Sequence, residues 1–145
     1  MKLFERAVAL LEKKEPFVYA TIVAQDGSTP RRAGTKMLIT SSGICETVGG
    51  GGMEAHVIKT AREQVLIDRK PVLRYYDLNA EEAAVGDFIC GGDCEILLAY
   101  IDPADRDNLA MFAAALKAEQ SGQRAWFIYV MDTKAGSLQM CLNVG

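Results

Sequence analysis

Apolar residues recur along this chain with two different periods, and the switches between them mark out its elements. Over residues 3–14 the period is helical. Leu3, Phe4, Ala7, Val8, Leu10 and Leu11 form one side, with Glu5, Arg6, Glu12 and Lys13 opposite. Pro16 closes that helix. Residues 17–24 (FVYATIVA) are rich in β-branched and aromatic side chains and read as a buried strand. Residues 25–34 are a loop of turn formers. Residues 35–40 (TKMLIT) and 44–48 (ICETV) read as two short strands, joined through Ser41-Ser42-Gly43 as a hairpin. The helical period returns over residues 54–69, with Val57, Ile58, Ala61 and Val65 on one face.

Beyond Pro71 the pattern shortens again. Residues 72–76 (VLRYY) predict a strand. Residues 77–87 are acidic and poorly periodic, with a short helical turn around residues 81–84. Residues 94–101 (CEILLAYI) carry a strong buried-strand signal. Asp102-Pro103 predicts a helix start, with Asp102 as N-cap and Pro103 at the first helical position. Leu109, Phe112, Ala113 and Leu116 then share a face, and Ser121-Gly122 is the stop. Residues 125–131 (AWFIYVM) form the most hydrophobic strand. A turn at Lys134-Ala135-Gly136 leads to a last one over residues 137–142. Helices and strands alternate, but hairpins interrupt them. The pattern predicts an α/β class: a mixed β-sheet flanked by helices in a single domain over residues 1–145. There is no internal repeat. The chain stops beside a strand without a polar tail, which leads us to expect one domain of a longer protein.

Composition narrows the classes of function. Half of the 145 residues are hydrophobic, so the chain folds. Net charge is −3, and no cluster of Lys and Arg exceeds a pair, which argues against nucleic-acid binding. No apolar run approaches the roughly 20 residues that a membrane helix requires. Charged residues interrupt the N-terminus at once, so there is no signal-peptide core, and a cytoplasmic location is expected. In that compartment the four cysteines, Cys45, Cys90, Cys94 and Cys141, are expected as thiols rather than as a disulfide framework.

The stretch with the most chemical character is Gly49-Gly50-Gly51-Gly52-Met53-Glu54. Four successive glycines stabilise neither helix nor strand, and they suit a place where bare backbone must approach a ligand. They lead into a helix, whose free N–H groups and partial positive charge favour an anion. Arg31 and Arg32 are either a solvated loop pair or an anion clamp, since guanidinium groups grip phosphate and carboxylate bidentately. Gly50-x-Gly52-x-x-Ala55 also fits a dinucleotide fingerprint, with Asp77 available for a ribose. Against that, Glu46 and Thr47 are polar where a central parallel strand would be apolar. Cys90-Gly91-Gly92-Asp93-Cys94 is a second glycine turn. Cys94 reads as a buried strand residue, and Cys90 as a thiol placed to meet a ligand. Only Cys45, Cys141 and His56 remain to complete a zinc site with them. His56 reads as a solvated helix residue. Glu54 is either a favourable first-turn acid or a partner for the N–H groups of a pterin.

Three segments together carry a resemblance. Gly27-Ser28-Thr29-Pro30-Arg31-Arg32-Ala33-Gly34-Thr35-Lys36-Met37, the Gly49–Glu54 stretch quoted above, and Cys90-Gly91-Gly92 leading into Glu95-Ile96-Leu97-Leu98 resemble the N-terminal domain of the XdhC/CoxI family. These proteins are accessory factors of molybdenum hydroxylases such as xanthine dehydrogenase. The resemblance covers residues 1–101 and becomes one of general pattern thereafter. It implies a chaperone rather than a catalyst of substrate turnover. Such a protein binds molybdenum cofactor (molybdopterin), protects it during sulfuration and passes it to the apo-hydroxylase. A sulfurtransferase is a further implied partner, and the apolar strand over residues 125–131 would suit a homodimer. Family members usually carry a C-terminal Rossmann domain that this chain lacks. Carried over, Arg31 and Arg32 would attract the cofactor's phosphate, and Ser28 would be a further cofactor-binding residue. Gly49, Gly50, Gly51, Gly52, Gly91 and Gly92 would offer backbone, Glu54 would read the pterin, and Cys90 would sit near the molybdenum. Where one branch of the family has Cys after the glycines, this chain has Met53, which removes a thiol there. The contrasting class is an NAD(P)- or nucleotide-binding enzyme fragment. It would need a positioned proton-transfer group, and one histidine is thin support for it.

Overall fold

The architecture is organised around one strand, β1 (Phe17–Asp26), which is covered on both faces. The computed structural model describes residues 2–26, 35–46, 48, 51–77 and 93–145. Before β1 comes α1 (Leu3–Glu12). After it come β2 (Lys36–Ile39), β3 (Ile44–Cys45) and α2 (Gly51–Thr60). The helix continues through a π-helical stretch, Ala61–Val65, into α3 (Leu66–Asp68). Then follow β4 (Val72–Asp77), β5 (Asp93–Ile101), α4 (Arg106–Ser121), β6 (Ala125–Asp132) and β7 (Ser137–Val144). The main sheet has the order β3-β2-β1-β5-β4, and β6 and β7 form a separate two-stranded sheet. The class is α/β, as the alternating pattern predicted, and every described ladder is antiparallel.

Successive side chains of a strand point to opposite faces, so β1 contributes to two cores at once. Val18, Ala20 and Ile22 meet Met53, Val57, Ala61 and Val65 of the α2–α3 helix. Phe17 and Tyr19 meet Leu3, Ala7, Leu10 and Leu11 of α1 and Phe112 of α4. This double burial explains why residues 17–22 show no polar alternation. The register with β5 shifts between Ile22 and Ala24. Just before that shift, the Thr21 hydroxyl donates to the Thr35 carbonyl at 3.1 Å.

The hairpin between β2 and β3 forms where predicted, and its turn is tied to the helix. The Gly43 amide donates to Thr40 Oγ1 at 2.9 Å, and Arg62 Nε donates to the Thr40 carbonyl at 2.9 Å. Arg62 lies in the π-helical stretch. Two expectations for α4 are corrected. Asp102 is not its N-cap, because its carboxylate accepts from the Ala104 amide at 2.8 Å and closes a turn that contains Pro103. Asp105 takes the cap instead, accepting from the Asp107 amide at 2.9 Å, so the helix begins three residues later. The buried face is Phe112, Ala115 and Ala118, and Ala113 is exposed.

The β6–β7 sheet packs Phe127, Tyr129, Leu138 and Met140 against the second core. Phe127 completes an aromatic cluster with Phe4, Tyr19 and Phe112, at centroid distances of 5.8, 5.5 and 6.0 Å. Strand alternation turns Trp126, Ile128 and Val130 outward, where they are exposed.

Candidate functional site

Antiparallel pairing decides where the glycine-bearing segments attach. Asp26 at the end of β1 lies opposite Asp93 at the start of β5, and Asp93 lies opposite Asp77 at the end of β4. Lys36 at the start of β2 lies opposite Thr21, and β3 ends running the same way as β1. The connections that leave β1, β3 and β4 therefore all depart from one end of the sheet. They carry the residues singled out above. Ser28, Arg31 and Arg32 belong to the first, Gly49 and Gly50 to the second, and Cys90, Gly91 and Gly92 to the third. These eight lie outside the described residues. Gly51 and Gly52 are described, and they open α2 rather than ending a loop before it. Glu54 occupies the first turn of that helix and is half-buried.

Beside this end, α2 and β4 are joined by a side-chain pair that sequence reasoning missed. His56 Nδ1 and the Tyr76 hydroxyl are 2.8 Å apart, with the two rings edge to face. His56 is exposed, as a solvated helix residue should be, and the hydrogen bond to Tyr76 is the feature not expected. Tyr76 is buried in the first core opposite Cys94, which is itself buried, as expected for a strand residue. Burial pushes the Tyr76 hydroxyl up to about 12, so it stays protonated. His56 is held below its usual value by partial desolvation, then by the nearby charges of Arg74 and Lys59. Both effects favour the neutral imidazole. The sequence predicts a strand over residues 72–76, but nothing in it indicates which helix residue would meet Tyr76.

The zinc reading finds no support among the described residues, where no three His, Cys, Asp or Glu side chains converge. Cys141 is exposed on the outward face of the β6–β7 sheet, whereas Cys94 is buried in the main sheet. A cleft of about 860 Å³ opens at the opposite end from the glycine segments, lined by Asp102, Met111, Ile128, Val130 and Met140 among others. Glu54 and His56 are not among its lining residues, and Cys141 is. Among the described residues no helix is long and apolar enough to cross a membrane.

These features define an antiparallel α/β domain in which β1, β3 and β4 end at one end of the sheet. A Rossmann unit differs, since its glycine turn follows a strand of a parallel sheet. Residues 10–77 match the XdhC and CoxI family. It is 35% identical over 100 residues to the uncharacterised protein YqeB of Escherichia coli (strain K12), an alignment covering 68% of this chain and 18% of that one. The crystal structure of a xanthine dehydrogenase from Bacillus halodurans matches the whole chain with a TM-score of 0.75 and 23% identity, over 43% of its own length. At that identity the likeness is one of fold. The chain spans less than half the length of either of these two proteins.

Proposed function

We propose that this protein is an accessory factor of a molybdenum hydroxylase, binding molybdenum cofactor in the cytoplasm and delivering it to the apo-enzyme. The observation that carries the reading is the departure of all three motif-bearing connections from one end of the sheet. The strand ends that flank the three stretches lie at one end of the sheet, which is compatible with a site for one ligand. The family match over residues 10–77 supports the same reading. The antiparallel sheet weighs against the nucleotide-binding alternative.

In this reading Ser28, Arg31 and Arg32 bind the cofactor's phosphate by charge-assisted hydrogen bonds. The glycines allow close backbone approach. Glu54 accepts from the pterin's N–H groups, and Cys90 lies toward the molybdenum or the sulfur added to it. The cofactor is cargo, and the hydroxylase chemistry it supplies belongs to the recipient enzyme. A sulfurtransferase is the natural third party. The outward face bearing Trp126, Ile128 and Val130 would join two copies of the chain.

The test is molybdenum and pterin content after anaerobic purification from cofactor-producing cells, with Arg31→Ala and Cys90→Ser alongside. Near-stoichiometric cofactor in the wild type and less in Arg31→Ala is the expected result. No cofactor, even after addition in excess, overturns the reading for this chain. If Cys90→Ser retains cofactor and still supports hydroxylase activation, Cys90 serves turn geometry rather than the metal.

A further inference from the structure

His56, Lys59 and Arg74 form a small donor-rich group that no part of the family motif accounts for. Lys59 follows His56 by three residues and so lies on the same side of α2. Arg74 precedes Tyr76 by two residues and so lies on the same face of β4, the face turned toward α2. The His56–Tyr76 hydrogen bond fixes the two elements against each other at this point. Neither Lys59 nor Arg74 is ion-paired among the described residues. Two cations beside an imidazole, with no carboxylate paired to them, leave an unbalanced positive patch.

The geometry also sets the imidazole's role. A phenol is a better donor than a neutral imidazole N–H, and the ring nitrogen is the better acceptor. The stronger arrangement therefore has Tyr76 donating to Nδ1, which leaves the proton on Nε2. Nε2 lies on the other edge of the ring, and the residue is exposed. We propose that His56, Lys59 and Arg74 form an oxyanion-binding site, with Tyr76 as the positioning residue that keeps Nε2–H as a donor. The ligand class is a phosphate monoester or inorganic phosphate. This deepens the accessory-factor reading, because the cofactor carries such a phosphate, and it rests on that reading only for the ligand's identity. At this one point the site replaces the assignment made above: with the cofactor's phosphate here, Ser28, Arg31 and Arg32 would meet another part of the cargo.

His56 is the only histidine of the chain, so every histidine signal in a nitrogen-15 spectrum belongs to it. Titrating the full chain with inorganic phosphate should shift the His56 ring nitrogens saturably, starting from the Nε2–H tautomer. Losing one charge-assisted contact should weaken binding by about tenfold or more in Arg74→Gln and in Lys59→Gln. Tyr76→Phe should mix the tautomers and weaken phosphate binding, while His56→Gln, which keeps a donor, should bind phosphate better than His56→Ala by calorimetry, since neither has a histidine signal. A parallel titration uses a pterin lacking phosphate. A shift with that pterin but none with phosphate overturns the oxyanion assignment. An Nδ1–H tautomer in the wild type overturns the role of Tyr76. Cofactor retained in full by His56→Ala and Arg74→Gln, with no phosphate shift, overturns the site while the accessory-factor reading stands. A saturable phosphate shift without cofactor retention does the reverse.

Discussion

The hydroxyl of Tyr129 donates to that of Tyr19 at 3.3 Å, across 110 positions of sequence, and ties the β6–β7 sheet to the central strand. Tyr19 is fully buried, and burial raises both hydroxyls above their ordinary value, so both stay protonated. Removing the Tyr129 hydroxyl leaves the buried Tyr19 hydroxyl without this bond, whereas removing both leaves apolar rings of the same shape. Each single Tyr→Phe change should therefore cost about 1–2 kcal/mol, and the double change less than their sum. Urea unfolding of the four proteins measures this. Strict additivity would mean that the pair contributes no coupling.

Helix α1 ends with Lys14 at φ 63°, a left-handed conformation that costs a side chain about 1–2 kcal/mol. The turn is closed by the Glu15 amide on the Leu10 carbonyl at 2.9 Å and the Lys14 amide on the Leu11 carbonyl at 3.1 Å. Glycine removes the steric cost but adds about 0.5–1 kcal/mol of chain entropy to be lost on folding. Lys14→Gly should therefore stabilise the protein by about 0.5–1 kcal/mol. A thermal melt showing a lower midpoint would mean that the lysine side chain contributes packing there.

Acid should weaken this protein partly through His56. Its folded pKa lies below the ordinary 6.5, first through desolvation and then through Arg74 and Lys59. Below pH 6.5 the unfolded chain takes up a proton that the folded protein resists. Stability from this group is complete above that pH and declines as pH falls toward the folded value, where the loss levels off. Urea midpoints between pH 5 and 8 should fall more steeply in the wild type than in His56→Gln. Parallel profiles would remove His56 from the acid response.

The outward face of β6 offers a test of self-association. Ile128 is 45% exposed and Val130 60%, so a charge at either should cost the fold no more than about 0.5 kcal/mol. Ile128→Lys should convert a sedimenting dimer to a monomer with an unchanged melting temperature. A wild-type chain that sediments as a monomer at all concentrations rules this interface out.

Much of the local structure was legible in the residues themselves. The helix over residues 3–14, the double-faced strand that begins at Phe17, the hairpin at Ser41-Ser42-Gly43 and the stop at Gly122 follow from period, β-branching and turn chemistry, which act over a few positions. The cap of α4 was misread because two aspartates, Asp102 and Asp105, compete within one turn, and only the neighbouring backbone decides which one serves. Glu54 could be set on a first helical turn from sequence. Ser28, Arg31, Arg32 and Cys90 could be named only through resemblance.

The sequence by itself determined the elements, their apolar faces and the family motif, because each depends on short-range pattern. Tertiary structure alone decided the order β3-β2-β1-β5-β4, and so the common end from which the three motif-bearing connections depart. It also decided that His56 meets Tyr76, 20 residues away. Such pairings depend on which buried faces match across the whole sheet, a long-range packing choice that no local window of residues contains.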